Sequence, residues 1–174
     1  MDILMILHQL KIPTVFPESV LEEANRVSET ISPEELEGRV DLRQELTVTI
    51  DGADAKDLDD AVALVKREDG TFVLTVSIAD VSYYVTENSE MDKEAFERGT
   101  SVYLTDRVVP MLPQRLSNGI CSLHPYEERL TLTARMEIDR SGTIYQHEIF
   151  PSVIQSNERL TYDEVNVLFN TNEA

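Results

Sequence analysis

The densest chemistry in the sequence lies in Ile50-Asp51-Gly52-Ala53-Asp54-Ala55-Lys56-Asp57-Leu58-Asp59-Asp60-Ala61-Val62, where five aspartates fall within ten residues. Strand-forming residues flank the run, Thr47-Val48-Thr49-Ile50 before it and Ala61 to Val65 after it. A solvated acidic tail lies in polar sequence, whereas this run is held between two elements that should be buried. Each carboxylate disfavours ionisation of its neighbours, and a hard divalent cation relieves that conflict. Oxygen-only donors suit magnesium, manganese or calcium and disfavour zinc or copper. Asp57 and Asp59 alternate, so an extended backbone puts both on one face. Asp51 reaches in from the strand end, and Asp60 joins through a turn or bulge. Two ions about 3.5 to 4 Å apart can activate a water and stabilise the leaving oxygen of a phosphodiester.

Other site chemistries fail on the residues. Read as a helix-loop-helix calcium loop from Asp51, the run has Ala53 and Ala55 at ligand positions, Lys56 for glycine and Val62 for the last glutamate. The six glycines, Gly38, Gly52, Gly70, Gly99, Gly119 and Gly142, are isolated, so no phosphate-cradling loop or dinucleotide fingerprint exists. No serine sits in a nucleophile elbow. Cys121 and His124 are too few to complete a zinc site, and Cys121 reads as ordinary core. The bland alternative is a solvated loop of charge, which many acidic runs are.

Composition bounds the rest. A hydrophobic share of 41% fits a folded chain, and 174 residues suffice for one domain with a substantial core. No stretch reaches the roughly 18 to 20 apolar residues of a membrane span. Ile3 to Leu7 is broken at His8 with no basic residue before it, so it is no secretory signal. With one cysteine and no internal disulfide the sequence reads as cytoplasmic. Thirty-three acids against fifteen bases give a net charge of −18, which repels nucleic acid rather than holding it.

The elements that position the acidic run follow from spacing. Residues 1–38 form a helical lead-in. Ile3, Leu4, Leu7 and Leu10 recur at helical intervals up to Pro13, and a second helix runs from Pro17 through Val27. Ser32-Pro33-Glu34-Glu35 signals a capped third helix, which Gly38 ends. Residues 39–174 carry the sheet. Thr47 to Ile50, Ala61 to Val65 and Phe72 to Ala79 are strands, the last two joined at Asp69-Gly70. Glu90 to Arg98 is a helix stopped by Gly99. Val102-Tyr103-Leu104 and Val108-Val109 are short extended pieces. Leu130 to Ile138 and Thr143 to Ile154 form a second hairpin about Arg140-Ser141-Gly142. A last helix opens at Thr161-Tyr162-Asp163-Glu164. Its apolar residues Val165, Val167, Leu168 and Phe169 call for something to pack against, so the chain reads as the front part of a larger unit.

Thr49 to Val62 resembles the signature of the ribonuclease II and ribonuclease R exonucleases, the RNB family. Five further segments are similar in order and spacing. They are Gly38 to Arg43, Ile78 to Val85, Arg98 to Tyr103, Arg107 to Pro113 and Leu116 to Leu123. The likeness covers about residues 10 to 169, and its wording is closest to the bacterial ribonuclease R branch. It implies an α/β (α+β) fold: short N-terminal helices, then a mixed or antiparallel sheet with flanking helices. The activity implied is processive 3′-to-5′ hydrolysis of single-stranded RNA to nucleoside 5′-monophosphates with magnesium, for which manganese can substitute. By position, Asp51, Asp57, Asp59 and Asp60 match the family's catalytic aspartates. Asp51, Asp57 and Asp60 are the implied metal ligands, and Asp59 is the least replaceable, holding metal or the attacking water. Asp54 falls where the family tolerates other residues. Tyr103 matches a tyrosine that stacks on bases near the RNA 3′ end, and Tyr162 one beside the terminal nucleotide. Read without the family, each is an ordinary half-buried packing residue.

The same resemblance makes the chain the N-terminal half of a catalytic domain. It lacks the family's cold-shock and S1 RNA-binding barrels and a later arginine and glutamate of the active site. On that expectation the acidic part holds metal, the missing parts hold RNA, and the chain alone degrades RNA slowly or not at all. Two rivals stand beside it. One is a non-catalytic scaffold of the same fold, which gains nothing from clustered acids. The other is a metal-dependent phosphatase, which a comparison of small phosphomonoesters with oligoribonucleotides would separate.

Overall fold

The computed structural model describes residues 3–171, so Met1, Asp2 and residues 172–174 of the expected lead-in and last helix lie outside it. Where length suggests one core, the described residues divide into two compact units. The first draws on Met1–Glu29 and Val81–Gly119, the second on Thr30–Asp80 and Ile120–Ala174. The division falls at neither end of the 1–38 lead-in, because the stretch after Ala79 leaves the sheet and gathers with the first helices.

In the first unit, α1 spans Ile3–Gln9 and α2 spans Glu18–Arg26. Leu7, Val20 and Ala24 are buried, as their spacing requires. A short helix missed by pattern, α3, covers Val81–Tyr84, and α4 covers Glu90–Arg98. Ser89 caps α4 by accepting the Asp92 N–H at 3.1 Å, and Gly99 ends it at φ 70°. Arg98 ties the unit together. Its guanidinium donates to the carbonyls of Pro13, Val15 and Pro110 and lies 3.8 Å above the Phe16 ring. The extended pieces pair as β5 (Val102–Tyr103) and β6 (Val108–Val109).

The second unit opens with the capped turn Pro33–Leu36, where the Ser32 N–H donates to Glu35 Oε2 at 2.7 Å. Its strands are β1 (Val40–Asp41), β2 (Val48–Asp51), β3 (Asp60–Lys66), β4 (Phe72–Ala79), β7 (Glu128–Ile138), β8 (Ile144–Gln155) and β9 (Glu158–Thr161). They form one sheet in the order β1-β8-β7-β4-β3-β2-β9. Both expected hairpins, β3–β4 and β7–β8, are present. The sheet is mixed rather than antiparallel because two strands that the pattern does not reveal, β1 and β9, add in parallel to β8 and β2. The last helix, α5, runs Tyr162–Thr171.

One sheet face is lined by small residues that are buried: Ala61, Ala63, Thr75, Ser77, Thr131, Thr133 and Ser152. Their hydroxyls satisfy one another, Ser77 with Thr133 at 2.8 Å and Ser152 with Thr131 at 2.7 Å and Thr133 at 2.6 Å. The register sets Leu64 beside Leu74 and Met136, and Ile78 beside Leu132, on the other face. There Leu64 and Leu132 are exposed.

Candidate active site

β2 and β3 are antiparallel neighbours, and the loop 52–59 joins them. Asp51 therefore ends one strand and Asp60 begins the next at the same end of the sheet. Between them Leu58 is fully buried, at 0% exposure. An apolar side chain driven into the core fixes the backbone on either side, so Asp57 and Asp59 flank an anchor. Fixing Leu58 buries its peptide groups as well, and both find partners. Its N–H donates to Ser122 Oγ at 3.0 Å, and its carbonyl accepts the Leu123 N–H at 2.9 Å. The Asp59 carbonyl accepts the Ala79 N–H at 3.0 Å. At the other end of the loop, Arg159 Nη2 donates to the carbonyls of Gly52 and Ala53 at 3.1 and 2.8 Å.

The four aspartates lie within electrostatic reach of one another. Partial burial raises the pKa of Asp51, Asp60 and Asp57 push it further, and the Arg159 charge pulls it back. Asp59 is exposed by its surface area, yet desolvation by the surrounding protein raises its pKa first, and Asp57, Asp60 and Asp51 add to the rise. Among the described residues, however, no three carboxylate, histidine or thiol groups converge on one point closely enough to hold an ion. The loop thus gathers Asp51, Asp57 and Asp60 without closing them into a ligand sphere. Like charges resist a closer approach. The donors fit such an ion by chemistry, being hard oxygens with a shared, uncompensated charge.

The aromatic candidates are placed differently. Tyr162 is the first residue of α5, directly after Thr161, which stands opposite Asp51 across the β2–β9 pair. Tyr103 ends β5 and belongs to the other unit. Both are exposed, at 59% and 63%, which suits a contact with something other than the core. Cys121 is buried core as expected, and burial pushes its thiol up to about 12.

Sequence reasoning missed Ser122 and Arg159 as parts of the site. A signal for the first was present. A hydroxyl inside the apolar run Ile120-Cys121-Ser122-Leu123 must find a buried partner, and only backbone offered one. Arg159 gave no comparable sign.

The RNB domain model matches residues 39–174. Ribonuclease R 1 of Lactococcus lactis is 56% identical over 173 residues, covering 99% of this chain and 21% of that protein. Ribonuclease R of Thermotoga maritima is 52% identical over 162 residues, covering 93% of this chain and 23% of that protein. The chain thus spans under a quarter of the length of these two relatives. Among solved structures, Mycoplasma genitalium RNase R in complex with double-stranded RNA superposes with a TM-score of 0.89 at 38% identity, over 97% of this chain and 30% of that one.

Proposed function

This chain belongs to the RNB family, and from that premise we propose that it supplies the aspartate half of a 3′-to-5′ exoribonuclease site. That site hydrolyses single-stranded RNA to nucleoside 5′-monophosphates. The observation that carries the reading is the gathering of Asp51, Asp57, Asp59 and Asp60 on one anchored loop and the two strand ends that flank it, at mutual electrostatic cost. A binding scaffold has no use for that cost.

Asp51, Asp57 and Asp60 would hold magnesium, or manganese in its place. When bound, such an ion neutralises charge on the phosphate and lowers the pKa of water. Asp59 orients the attacking water and accepts its proton, a role open to a carboxylate that keeps access to solvent. Tyr162, beside the same sheet end, stacks on the terminal nucleotide. Tyr103 stacks on a base near the RNA 3′ end. Stacking is tolerant of base identity, which suits an enzyme that must accept any sequence. With a net charge of −18, the chain relies on basic surfaces of a longer protein to hold RNA. No described helix is long and apolar enough to cross a membrane, and the lone buried cysteine accords with a cytoplasmic place.

The test is a chimera in which this chain replaces the corresponding segment of the Lactococcus lactis protein. It should shorten 5′-labelled single-stranded RNA from the 3′ end and release mononucleotides. Asp59→Asn should cost on the order of 10²-fold or more in rate. A folded chimera that leaves RNA intact, or an Asp59→Asn chimera of full activity, overturns the reading. Efficient cleavage of small phosphomonoesters instead of RNA would favour a phosphatase. The chain alone should degrade RNA slowly or not at all.

A further inference from the structure

Carboxylates brought this close repel, and a flexible loop of such charge spreads. Residues 52–59 are instead pinned at both ends by side chains remote in sequence. At one end Ser122, fully buried, accepts the Leu58 N–H at 3.0 Å and donates its hydroxyl to the Lys56 carbonyl at 2.8 Å. Asp57 is the residue between those two anchors. Ser122 is itself held, because its carbonyl accepts Arg129 Nε at 2.8 Å. At the other end Arg159 bonds the Gly52 and Ala53 carbonyls through one nitrogen.

We propose that Ser122 and Arg159 are positioning residues that hold the acidic loop open and pre-formed for a divalent cation, without touching the cation themselves. The inference rests on the cation reading above. With the backbone fixed at 52–53 and at 56–58, the four aspartates hang from a rigid frame. A cation then has only to draw side chains together. Remove either tether and mutual repulsion spreads the loop, so the cation must also order backbone. Affinity falls although every ligand is still present, as expected when a site's supporting residues are lost.

The full chain tests this with two readings on each variant: hydrogen exchange along the sequence and Mn²⁺ titration by calorimetry. Ser122→Ala and Arg159→Met each remove two hydrogen bonds and should speed exchange of the 53–59 amides by roughly 10- to 100-fold. Exchange in β4 and β7 should not change. Mn²⁺ affinity should fall about tenfold in each variant. Arg159→Lys keeps the charge and a single donor nitrogen, on a side chain of different reach, and should recover part of it. Unchanged loop exchange in both variants overturns the proposal. So does faster exchange spread over β4 and β7, which would mean a general loss of fold. So does loop loosening with Mn²⁺ affinity intact. If the wild-type chain binds no Mn²⁺, the cation reading and the pre-formed site fail, and the exchange data then report only on the tethers.

Discussion

Thr161 of β9 stands opposite Asp51 of β2 in the parallel pair at one edge of the sheet, and the chain turns into α5 at the next residue. The turn is fixed by a reciprocal cap. The Thr161 N–H and hydroxyl both donate to Glu164 Oε2 at 2.7 Å, and the Glu164 N–H returns to Thr161 Oγ1 at 3.3 Å. Tyr162 is therefore set at the sheet end that carries the aspartates. In the chimera, Tyr162→Ala should raise KM for RNA by roughly 5- to 100-fold, the effect of losing one stacked base. Tyr162→Phe keeps the ring and should change KM little. Equal KM for both variants and wild type would remove Tyr162 from the RNA path.

Asp59→Asn should move two measurements in opposite directions. Its pKa is raised by burial and by Asp57, Asp60 and Asp51, so its charge opposes folding. A raised carboxyl pKa gives stability that is present below the ordinary value and lost as pH rises through the folded-state value. At neutral pH the variant should therefore melt above wild type. The gain should vanish on acidification. The same variant should lose most of the thermal protection that Mn²⁺ gives wild type. A variant that melts lower and keeps full protection would mean that Asp59 is neither crowded nor near the ion.

Much of this was legible in the sequence, for local reasons. Alternation and turn residues mark β3, β4, β7 and β8, and Gly99 marks the end of α4, whose cap at Ser89 only the structure shows. β9 was not legible, because Glu158-Arg159-Leu160-Thr161 is mixed in character and is a strand only through its pairing with β2. The aspartates announce themselves by clustering. Their supports do not, since Ser122 meets Leu58 across 64 residues and Arg159 meets Ala53 across 106. The division into two units also leaves no mark, as composition does not change at Val81 or Ile120.

Arg39 and Asp80 predict a stability effect away from the loop. Their side chains are 8% and 14% exposed and meet at 2.7 Å, and Arg39 also donates to the carbonyls of Thr131 and Ser152. Asp80→Ala removes the carboxylate from a buried guanidinium and should cost about 3–5 kcal/mol. The double change Arg39→Met with Asp80→Leu should cost clearly less than the two single changes summed. Additive costs by denaturant titration would show that the two charges do not depend on each other.

Cys121 supplies a pH signature. It is the only cysteine in the sequence, it is 3% exposed, and burial pushes its thiol up to about 12 against an ordinary 9.0, with the Arg129 charge pulling the other way. At pH 8 a thiol reagent should therefore leave the folded chain unmodified and take up one equivalent after denaturation. Below pH 9.0 the thiol is protonated in both states and its contribution to stability is complete. As pH climbs towards 12 the unfolded thiol ionises and the folded one does not, so the folded state binds more protons and stability falls. Cys121→Ala should lose about 1 kcal/mol at neutral pH to the small cavity it leaves. The deficit should narrow between pH 9 and 12, where only wild type still pays for a thiol kept neutral. Rapid modification of the folded chain at pH 8, or a deficit that stays constant into that range, would show that the thiol has ready access to water.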